Sequence, residues 1–292
     1  MKRAFIPRLL ATSIMNTEKA RTRNADRLPL RSAIFFVLLV TAGCSTSATE
    51  PLTLEITAKY HHDRKAYTQG LIYDDGFLYE STGQYGTSSL RKLEPETGKV
   101  LMQIDLPDKY FAEGIERIGD KIYLLTWQER KCFVFDKATF KVLGQFDYSG
   151  QGWGLTSDGT NLLMSDGSST LRVIEPTTFK VVKRINVTDK NAKTKKAVPV
   201  ENLNELEFIN GEIWANVWQS TGIARIDPAT GQVLGWINCA GMVPEECRTA
   251  RAIEAGHVLN GIAYDAEKRR VFLTGKNWPV MYELKIVEKK VK

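Results

Sequence analysis

A motif that recurs five times is the feature of this sequence that most restricts the folds open to it. In each copy a conspicuous residue, here called the anchor, precedes Gly or Glu and then Leu or Ile. The anchors are Gln69, Glu113, Trp153, Asn204 and Asn260. They stand 44, 40, 51 and 56 residues apart, and an apolar strand-like segment is centred ten to twelve residues after each. Periods of about 40–50 residues indicate a repeat architecture.

Each repeat continues with a pattern expected for short antiparallel strands. A strand follows the anchor, then a turn, and then a second strand rich in aromatic and branched residues. A third strand enters a hairpin, which in three repeats has Pro near its first corner, at residues 93–100, 174–181 and 226–233. Four short strands per repeat are typical of a propeller blade. The sequence therefore predicts an all-β fold, a five-bladed β-propeller of four-stranded antiparallel blades, as a single domain over residues 52–292.

The fifth repeat reaches the end of the chain before a fourth strand can form. Residues 52–58, at the other end of the domain, have the composition of a strand. We expect this segment to complete the last blade, because it would close the ring and cover a sheet edge. Helix should be scarce, and residues 189–196 should form a solvated basic loop.

The basic character of the chain comes from its first 43 residues. Residues 1–43 carry eight Lys or Arg against two acidic residues, whereas residues 44–292 carry 32 of each. The sequence pI of about 9.0 is therefore no evidence for a nucleic-acid partner, and none is expected. The basic region is long, so Met15 is an alternative start.

Residues 1–43 have the organisation of a signal peptide. An apolar core at residues 33–40 follows the basic region and is too short for a stable membrane span. Ala-Gly before Cys44 resembles a bacterial lipobox, although Thr stands where Leu is usual. We expect an exported, periplasmic lipoprotein of a bacterium, attached to a membrane only through Cys44, with residues 44–51 as a tether. Ordinary cleavage near Ala48 is the alternative.

Three further cysteines lie in the predicted domain. Export makes disulfides feasible. Cys239 and Cys247 are eight residues apart in a loop-like stretch, so they are a candidate disulfide, with free thiols as the equal alternative. Cys132 lies within a strand pattern and is expected to be a buried small apolar residue.

The anchors are expected to converge at one end of the central channel, because each begins the innermost strand of a blade. Glu113 is the only acidic anchor, and burying a lone carboxylate is costly unless it is paired or functional. Lys276 and the side chains of Trp127, Trp218 and Trp278 end second strands near the same rim. Together with the Trp153 anchor they suggest an aromatic-walled pocket for a small, partly apolar or cationic ligand.

Several common catalytic motifs are missing from the sequence. There is no Gly-x-Ser-x-Gly nucleophile elbow, no phosphate-binding Gly loop and no His spacing typical of zinc hydrolases. Residues 61–62, a His pair, are expected on a solvated turn. A lone acid, amides and a lysine suit proton transfer and oxyanion stabilisation without a metal or cofactor.

Nine ordered motifs of the sequence resemble those of a known family. The matching motifs are residues 67–71, 78–86, 111–115, 125–127, 152–155, 165–168, 204–207, 214–218 and 259–263. They closely resemble the plant- and bacterial-type glutaminyl-peptide cyclotransferases, over about residues 53–286. The resemblance implies a five-bladed propeller that converts the N-terminal glutamine of peptides or proteins into pyroglutamate, with release of ammonia.

The resemblance also implies roles for individual residues. Glu113 would be the proton shuttle. Gln69, Asn204 and Lys276 would bind the substrate amide and backbone and stabilise the oxyanion. The remaining positions would wall the pocket, and they are Phe111, Trp127, Trp153 and Trp218. Tyr67 stands where the family usually has Phe, and Glu80, a rival acid, is expected to be structural.

Two other functions stay open from the sequence. A metal-dependent propeller lactonase would need several carboxylates and Asn around a divalent cation, but only one anchor is acidic. A non-catalytic exported binding module would have little need for Glu113. A monomer is the default for a closed ring.

Overall fold

The computed structural model describes residues 52–288. Five four-stranded antiparallel sheets and one two-stranded hairpin make up almost all of the secondary structure of this part of the chain. The predicted five-bladed propeller is confirmed. None of the helices within residues 52–288 is long and apolar enough to cross a membrane. The predicted signal peptide, Cys44, the tether and the alternative start at Met15 lie outside the described residues.

The strands follow the chain blade by blade. The first strand is β1 (Leu52–His61). Blade 1 contains β2 (Thr68–Asp74), β3 (Phe77–Thr82), β4 (Ser89–Leu93) and β5 (Val100–Asp105). Blade 2 contains β6 (Ala112–Ile118), β7 (Lys121–Thr126), β8 (Lys131–Asp136) and β9 (Val142–Asp147). Blade 3 contains β10 (Leu155–Ser157), β11 (Leu162–Met164), β12 (Thr170–Glu175) and β13 (Lys180–Asn186).

The second half of the domain adds a hairpin and the short helices. A small hairpin of β14 (Thr188–Lys190) and β15 (Ala197–Pro199) includes the basic segment 189–196, which is solvated as expected but begins within β14. Blade 4 contains β16 (Leu203–Ile209), β17 (Glu212–Val217), β18 (Gly222–Ile226) and β19 (Val233–Asn238). Two 3₁₀ turns (Ala240–Met242 and Glu245–Arg248) and the helix α1 (Ala250–Glu254) follow. Blade 5 contains β20 (Leu259–Asp265), β21 (Arg270–Gly275) and β22 (Val280–Glu288).

Strand β1 supplies the fourth strand of blade 5. It pairs antiparallel with β22, from Leu52 opposite Glu288 to His61 opposite Val280. The predicted ring closure is therefore confirmed, and the strand runs three residues beyond the predicted end. Pairing β22 on its outer side removes an exposed sheet edge.

The apolar core lies between the blades. Five clusters of buried side chains each join neighbouring blades, including the pair formed by blades 5 and 1. The inner strands β2 and β6 are therefore buried along most of their length on both faces. The outer strands β5 and β9 are largely exposed. This arrangement places the inner strands around the channel.

The candidate disulfide is not formed. Cys239 and Cys247 are free thiols, and both pack in the apolar cluster between blades 4 and 5. Cys132 is also free and is buried, as expected. Burial raises the pKa of Cys239 to about 12, so the reactive thiolate is disfavoured and the side chain serves as a small apolar group.

Candidate active site

Four of the five anchors occupy the second position of an inner strand. They are Gln69, Glu113, Asn204 and Asn260, whereas Trp153 lies two residues before β10. At those four anchors the pairing between the first and second strands of the blade changes register. A bulge of this kind frees the anchor from the regular alternation and lets its side chain turn out of the sheet.

Hydroxyl groups of the preceding blade hold two anchors by their backbone. Ser81 Oγ donates to the carbonyl oxygen of Glu113 at 2.5 Å, and Ser165 Oγ donates to that of Asn204 at 2.6 Å. Each serine stands twelve residues after its own blade's anchor and reaches the anchor of the next blade. These bonds fix neighbouring anchors relative to one another around the ring.

The glycines that follow three anchors permit the close approach of neighbouring inner strands. A Cβ on Gly70 would lie 2.5 Å from the backbone nitrogen of Ile115, and one on Gly114 would lie 2.6 Å from that of Leu155. A Cβ on Gly154 would overlap the carbonyl oxygen of Asn204. The expected packing role of these glycines is therefore what the structure shows.

Four of the five anchors line a cavity of about 260 Å³. Its lining consists of Tyr67, Gln69, Gln84, Phe111, Glu113, Trp127, Trp153, Asn204, Trp218 and Lys276. All eight side chains predicted for catalysis or substrate binding therefore meet in one place. Tyr67 and Gln84 complete the wall.

Two residues expected at this site do not reach it. Asn260 is fully buried, and its Nδ2 donates to the carbonyl oxygen of Thr68 at 3.0 Å, which joins blade 5 to blade 1. Trp278 is also fully buried, packs in the cluster between blades 4 and 5, and donates from Nε1 to the carbonyl oxygen of His257 at 3.3 Å. The expectations for Asn260 and Trp278 were wrong, because both side chains turn into blade interfaces.

The prediction of a solvated His pair holds for His61 and is wrong for His62. His61 is exposed, but His62 is only 2% exposed and lies between blades 5 and 1. Its Nε2 meets Glu80 Oε1 at 2.9 Å, and its Nδ1 meets the carbonyl oxygen of Trp278 at 2.7 Å. Glu80 also accepts a hydrogen bond from Thr68 Oγ1 at 2.7 Å and lies outside the cavity lining, which fits a structural role.

Glu113 and Lys276 are the two ionisable groups of opposite charge in the cavity. Both are nearly inaccessible to solvent, with exposed fractions of 4% each. Burial raises the pKa of Glu113 well above its usual value, although the charge of Lys276 opposes this change. Burial lowers the pKa of Lys276 to about 8, and the charge of Glu113 opposes that shift. Lys276 can therefore change protonation near neutral pH, and the carboxyl of Glu113 holds its proton more tightly than an exposed glutamate does.

Three of the anchors that line the cavity present buried polar atoms that have no hydrogen-bond partner within the protein. These atoms are Gln69 Oε1, Glu113 Oε2 and Asn204 Oδ1. Buried polar atoms are normally hydrogen-bonded, and each exception calls for an explanation. Here all three belong to the lining of one cavity and are acceptors, so they suit a ligand that brings several N–H groups.

Aromatic rings form the remainder of the cavity wall. Trp153 and Trp218 meet edge to face with ring centroids 5.9 Å apart, and Phe111 lies 5.6 Å from Trp127. One atom, Gln151 Oε1, accepts hydrogen bonds from Trp127 Nε1 at 2.7 Å and Trp153 Nε1 at 2.9 Å. The orientation of both indoles is thus set by a single amide that sequence reasoning missed.

Two details of the wall could not be read from the repeats. Gln84 has a positive φ of 106°, which is strained for a residue with a side chain and is found preferentially at functional sites. The hydroxyl of Tyr67 points at Gly256, where an added Cβ would overlap it, while its ring lies 5.0 Å from Lys276 Nζ. The Phe-to-Tyr departure therefore leaves an aromatic face towards the cavity.

Other buried acids lie on the inner strands but outside the cavity lining. Glu116, Glu205 and Glu207 accept hydrogen bonds from a threonine hydroxyl or from backbone N–H groups. Burial raises the pKa of all three. Within residues 52–288, no group of three or more His, Cys, Asp or Glu side chains has an arrangement that could hold a metal ion.

Comparison with known proteins agrees with this geometry. A family model described as glutamine cyclotransferase matches residues 30–286. The chain is 37% identical over 310 residues to a glutaminyl-peptide cyclotransferase of Arabidopsis thaliana, covering 100% of this chain and 93% of that protein. Its structure is similar to the crystal structure of Myxococcus xanthus glutaminyl cyclase, with a TM-score of 0.72 and 34% identity, covering 83% and 100% of the two chains.

Proposed function

The chain belongs to the glutamine cyclotransferase family, and we propose that it is an acyltransferase that converts N-terminal glutamine of peptides or proteins into pyroglutamate. The observation that carries this proposal furthest is the cavity itself. It combines one buried carboxyl, one buried lysine and three unpaired acceptor atoms behind an aromatic wall. An N-terminal glutamine brings N–H groups on its α-amine and on its side-chain amide, and these match the acceptors.

The reaction is an intramolecular acyl transfer. The α-nitrogen of the substrate attacks its own side-chain amide carbon, so a C–N bond forms, the bond to the amide nitrogen breaks, and ammonia leaves. The α-ammonium, with a pKa near about 8, must first lose a proton. This first proton goes to solvent. As the C–N bond forms, the attacking nitrogen must lose a second proton, which we assign to Glu113. Glu113 then passes that proton to the departing nitrogen, which leaves as ammonia, so the carboxylate is regenerated and the lactam nitrogen keeps one hydrogen.

The raised pKa of Glu113 makes it a stronger base than an exposed glutamate, which suits a group that takes a proton from an amine and gives it to a leaving nitrogen. General acid–base help of this kind is typically worth about 10²–10⁴ in rate. Because the substrate supplies its own nucleophile, the site needs neither a covalent intermediate nor, in this proposal, a metal or cofactor.

Charge also develops on the amide oxygen in the tetrahedral state. Lys276 and the amide N–H groups of Gln69 and Asn204 are the donors that we assign to it. Each such donor is commonly worth about 10²–10³ in rate in a water-excluded site. The rings of Phe111 and Trp153 would hold the glutamine side chain folded towards its own amine, which favours cyclisation over extended conformations.

The first experiment is to follow ammonia release from a glutaminyl dipeptide amide by the purified domain. We expect release that is unchanged by a chelator. Release that stops on chelation and returns with a divalent cation would favour metal-dependent chemistry of the lactonase kind. Tight binding of the dipeptide by a well-folded protein without release would favour the non-catalytic binding module.

We infer an exported enzyme from the first 44 residues. The basic region, the apolar core and the lipobox-like residues before Cys44 support a periplasmic lipoprotein whose substrates are exported peptides or proteins. Radiolabelled palmitate incorporation that is lost in Cys44→Ser would support lipidation. A mature chain that begins near Ala48 would contradict it.

A further inference from the structure

A second cavity adjoins the candidate active site. It measures about 270 Å³ and lies at the rim of blades 4 and 5. One wall comes from the β17–β18 connection, which includes Thr221, and another comes from the segment between β19 and β20, which includes Val243 and Ile253. That segment contains α1 and both 3₁₀ turns, and it accounts for the longest spacing between successive anchors.

The two cavities are lined by neighbouring residues. Trp218 lines the first cavity, and its chain neighbour Gln219 lines the second. Lys276 lines the first, and its backbone N–H donates to the carbonyl oxygen of Val258, which lines the second, at 2.9 Å. The second cavity thus lies directly behind part of the wall of the first.

The lining of the second cavity is mainly apolar. Val243, Ile253, Val258 and Leu259 contribute aliphatic side chains, and Ile253 is 44% exposed on a helix of five residues. A large aliphatic side chain left this exposed beside a cavity gains free energy when a ligand covers it.

A peptide substrate leaves the first cavity in only one direction. Cyclisation uses the α-amine and the side chain of the glutamine, so only its carbonyl leads on to the rest of the chain. Each further residue extends the peptide by at most about 3.3–3.6 Å. The residues that come next therefore cross the rim of the first cavity, and Trp218 and Gln219 lie on the side of that rim that leads to the second cavity.

We propose that this second cavity is a specificity subsite that binds an apolar side chain of the substrate, contributed by one of the three residues after the N-terminal glutamine. The inference rests on the proposed cyclase function. Arg248, also in the lining, disfavours a cationic side chain at the same place. The subsite therefore selects exported peptides with an aliphatic residue close to their N-terminal glutamine.

The test compares four amidated peptides, Gln-Ala-Ala-Ala and its variants with Leu at the second, third or fourth position. Amidation removes the terminal carboxylate, so attraction to Arg248 cannot mimic apolar binding. We expect Leu at one position to raise kcat/KM by about tenfold, mainly by lowering KM, which is typical of an aliphatic side chain entering a pocket.

Two variants test the location of the effect. Ile253→Ser removes the exposed aliphatic wall, and Thr221→Trp fills the cavity, so both should bring the Leu-to-Ala ratio of kcat/KM close to one. Ile56→Ser is the matched control, because Ile56 is 40% exposed but lies on β1. It should keep the full ratio, and the ratio within each variant cancels any general loss of activity.

Two results would overturn the subsite. One is no Leu preference at any of the three positions, and the other is a preference that survives both Ile253→Ser and Thr221→Trp. If folded wild type releases no ammonia from any peptide, the proposed function fails instead. In that case calorimetry would give the dissociation constants of the Ala and Leu peptides, and their ratio would still decide whether the cavity binds the apolar side chain.

Discussion

The buried pair of His62 and Glu80 gives the sharpest prediction about stability. Both ring nitrogens of His62 face acceptors, the Glu80 carboxylate and the carbonyl oxygen of Trp278, so the ring fits as a doubly protonated cation. Burial alone would lower the pKa of His62, but the charge and hydrogen bond of Glu80 outweigh it and raise that pKa. The pair joins blade 5 to Thr68, the neighbour of the Gln69 anchor.

Glu80→Gln keeps the shape of this contact and removes its negative charge. Breaking a buried ion pair from one side costs about 3–5 kcal/mol. At about 2–4 °C per kcal/mol for a domain of this size, the melting temperature at pH 6 should fall by roughly 6–20 °C. Glu246→Gln is the control, because its pair with Arg64 is exposed and should be worth less than about 1 kcal/mol.

The pH dependence follows from the direction of the shift. The folded-state pKa of His62 is raised, so its contribution to stability is fully present below about pH 6.5, the unfolded value, and is lost as pH rises through the folded value. The penalty of Glu80→Gln should therefore shrink between pH 6 and pH 9 in urea unfolding. A penalty below about 1 kcal/mol at pH 6, or one equal at both pH values, would refute the reasoning.

Three further variants test the wall of the site and the packing and charge of the inner strands. Gln151→Leu removes the acceptor shared by two indole N–H groups, so it should raise KM more than it lowers kcat and should change the tryptophan fluorescence. Gln151→Glu keeps an acceptor and should restore the KM and the fluorescence of the wild type. An unchanged KM in Gln151→Leu would contradict the positioning role. Gly154→Ala should lower the free energy of unfolding by about 1–3 kcal/mol, because its Cβ overlaps the carbonyl oxygen of Asn204. Gly144→Ala, with open space around it, should cost nothing, and equal losses in both would argue against close packing. Burial raises the pKa of Glu116 in the folded protein to about 7, so the wild type loses stability as pH rises from 5 to 8, whereas Glu116→Gln does not. The variant should therefore gain on the order of 1–3 kcal/mol relative to wild type over this range. A stability difference that does not change with pH would contradict this.

The sequence predicted the fold well because the information is periodic. Five anchors at similar spacing implied five blades, and a fifth repeat without a final strand implied that β1 would close the ring. The strand pairing confirms both inferences. The convergence of Gln69, Glu113 and Asn204 followed from the same periodicity, since equivalent positions in a ring of blades face one channel.

The parts of the site that escaped prediction depend on contacts without a period. Asn260 has an anchor's spacing, but its amide crosses to Thr68 at the interface where the chain closes on itself. Trp278 turns inward against Gly275, which has no side chain to block it. Gln151 lies outside the repeated motif altogether. One contact of this kind did have a repeated spacing in the sequence. Ser81 and Ser165 both stand twelve residues after an anchor, and each donates a hydrogen bond to the backbone of the next anchor.

The most direct test of the account is the turnover of Glu113→Gln, measured as ammonia release from a glutaminyl dipeptide amide. The variant keeps the shape of the side chain but cannot accept or donate the transferred proton, so we expect kcat to fall by about 10²–10⁴ while the fold and dipeptide binding persist. Glu116→Gln, which removes a buried carboxyl outside the cavity lining, should keep kcat within about threefold at pH 7. A folded Glu113→Gln variant that retains kcat within about tenfold would contradict the assignment of proton transfer to this carboxyl.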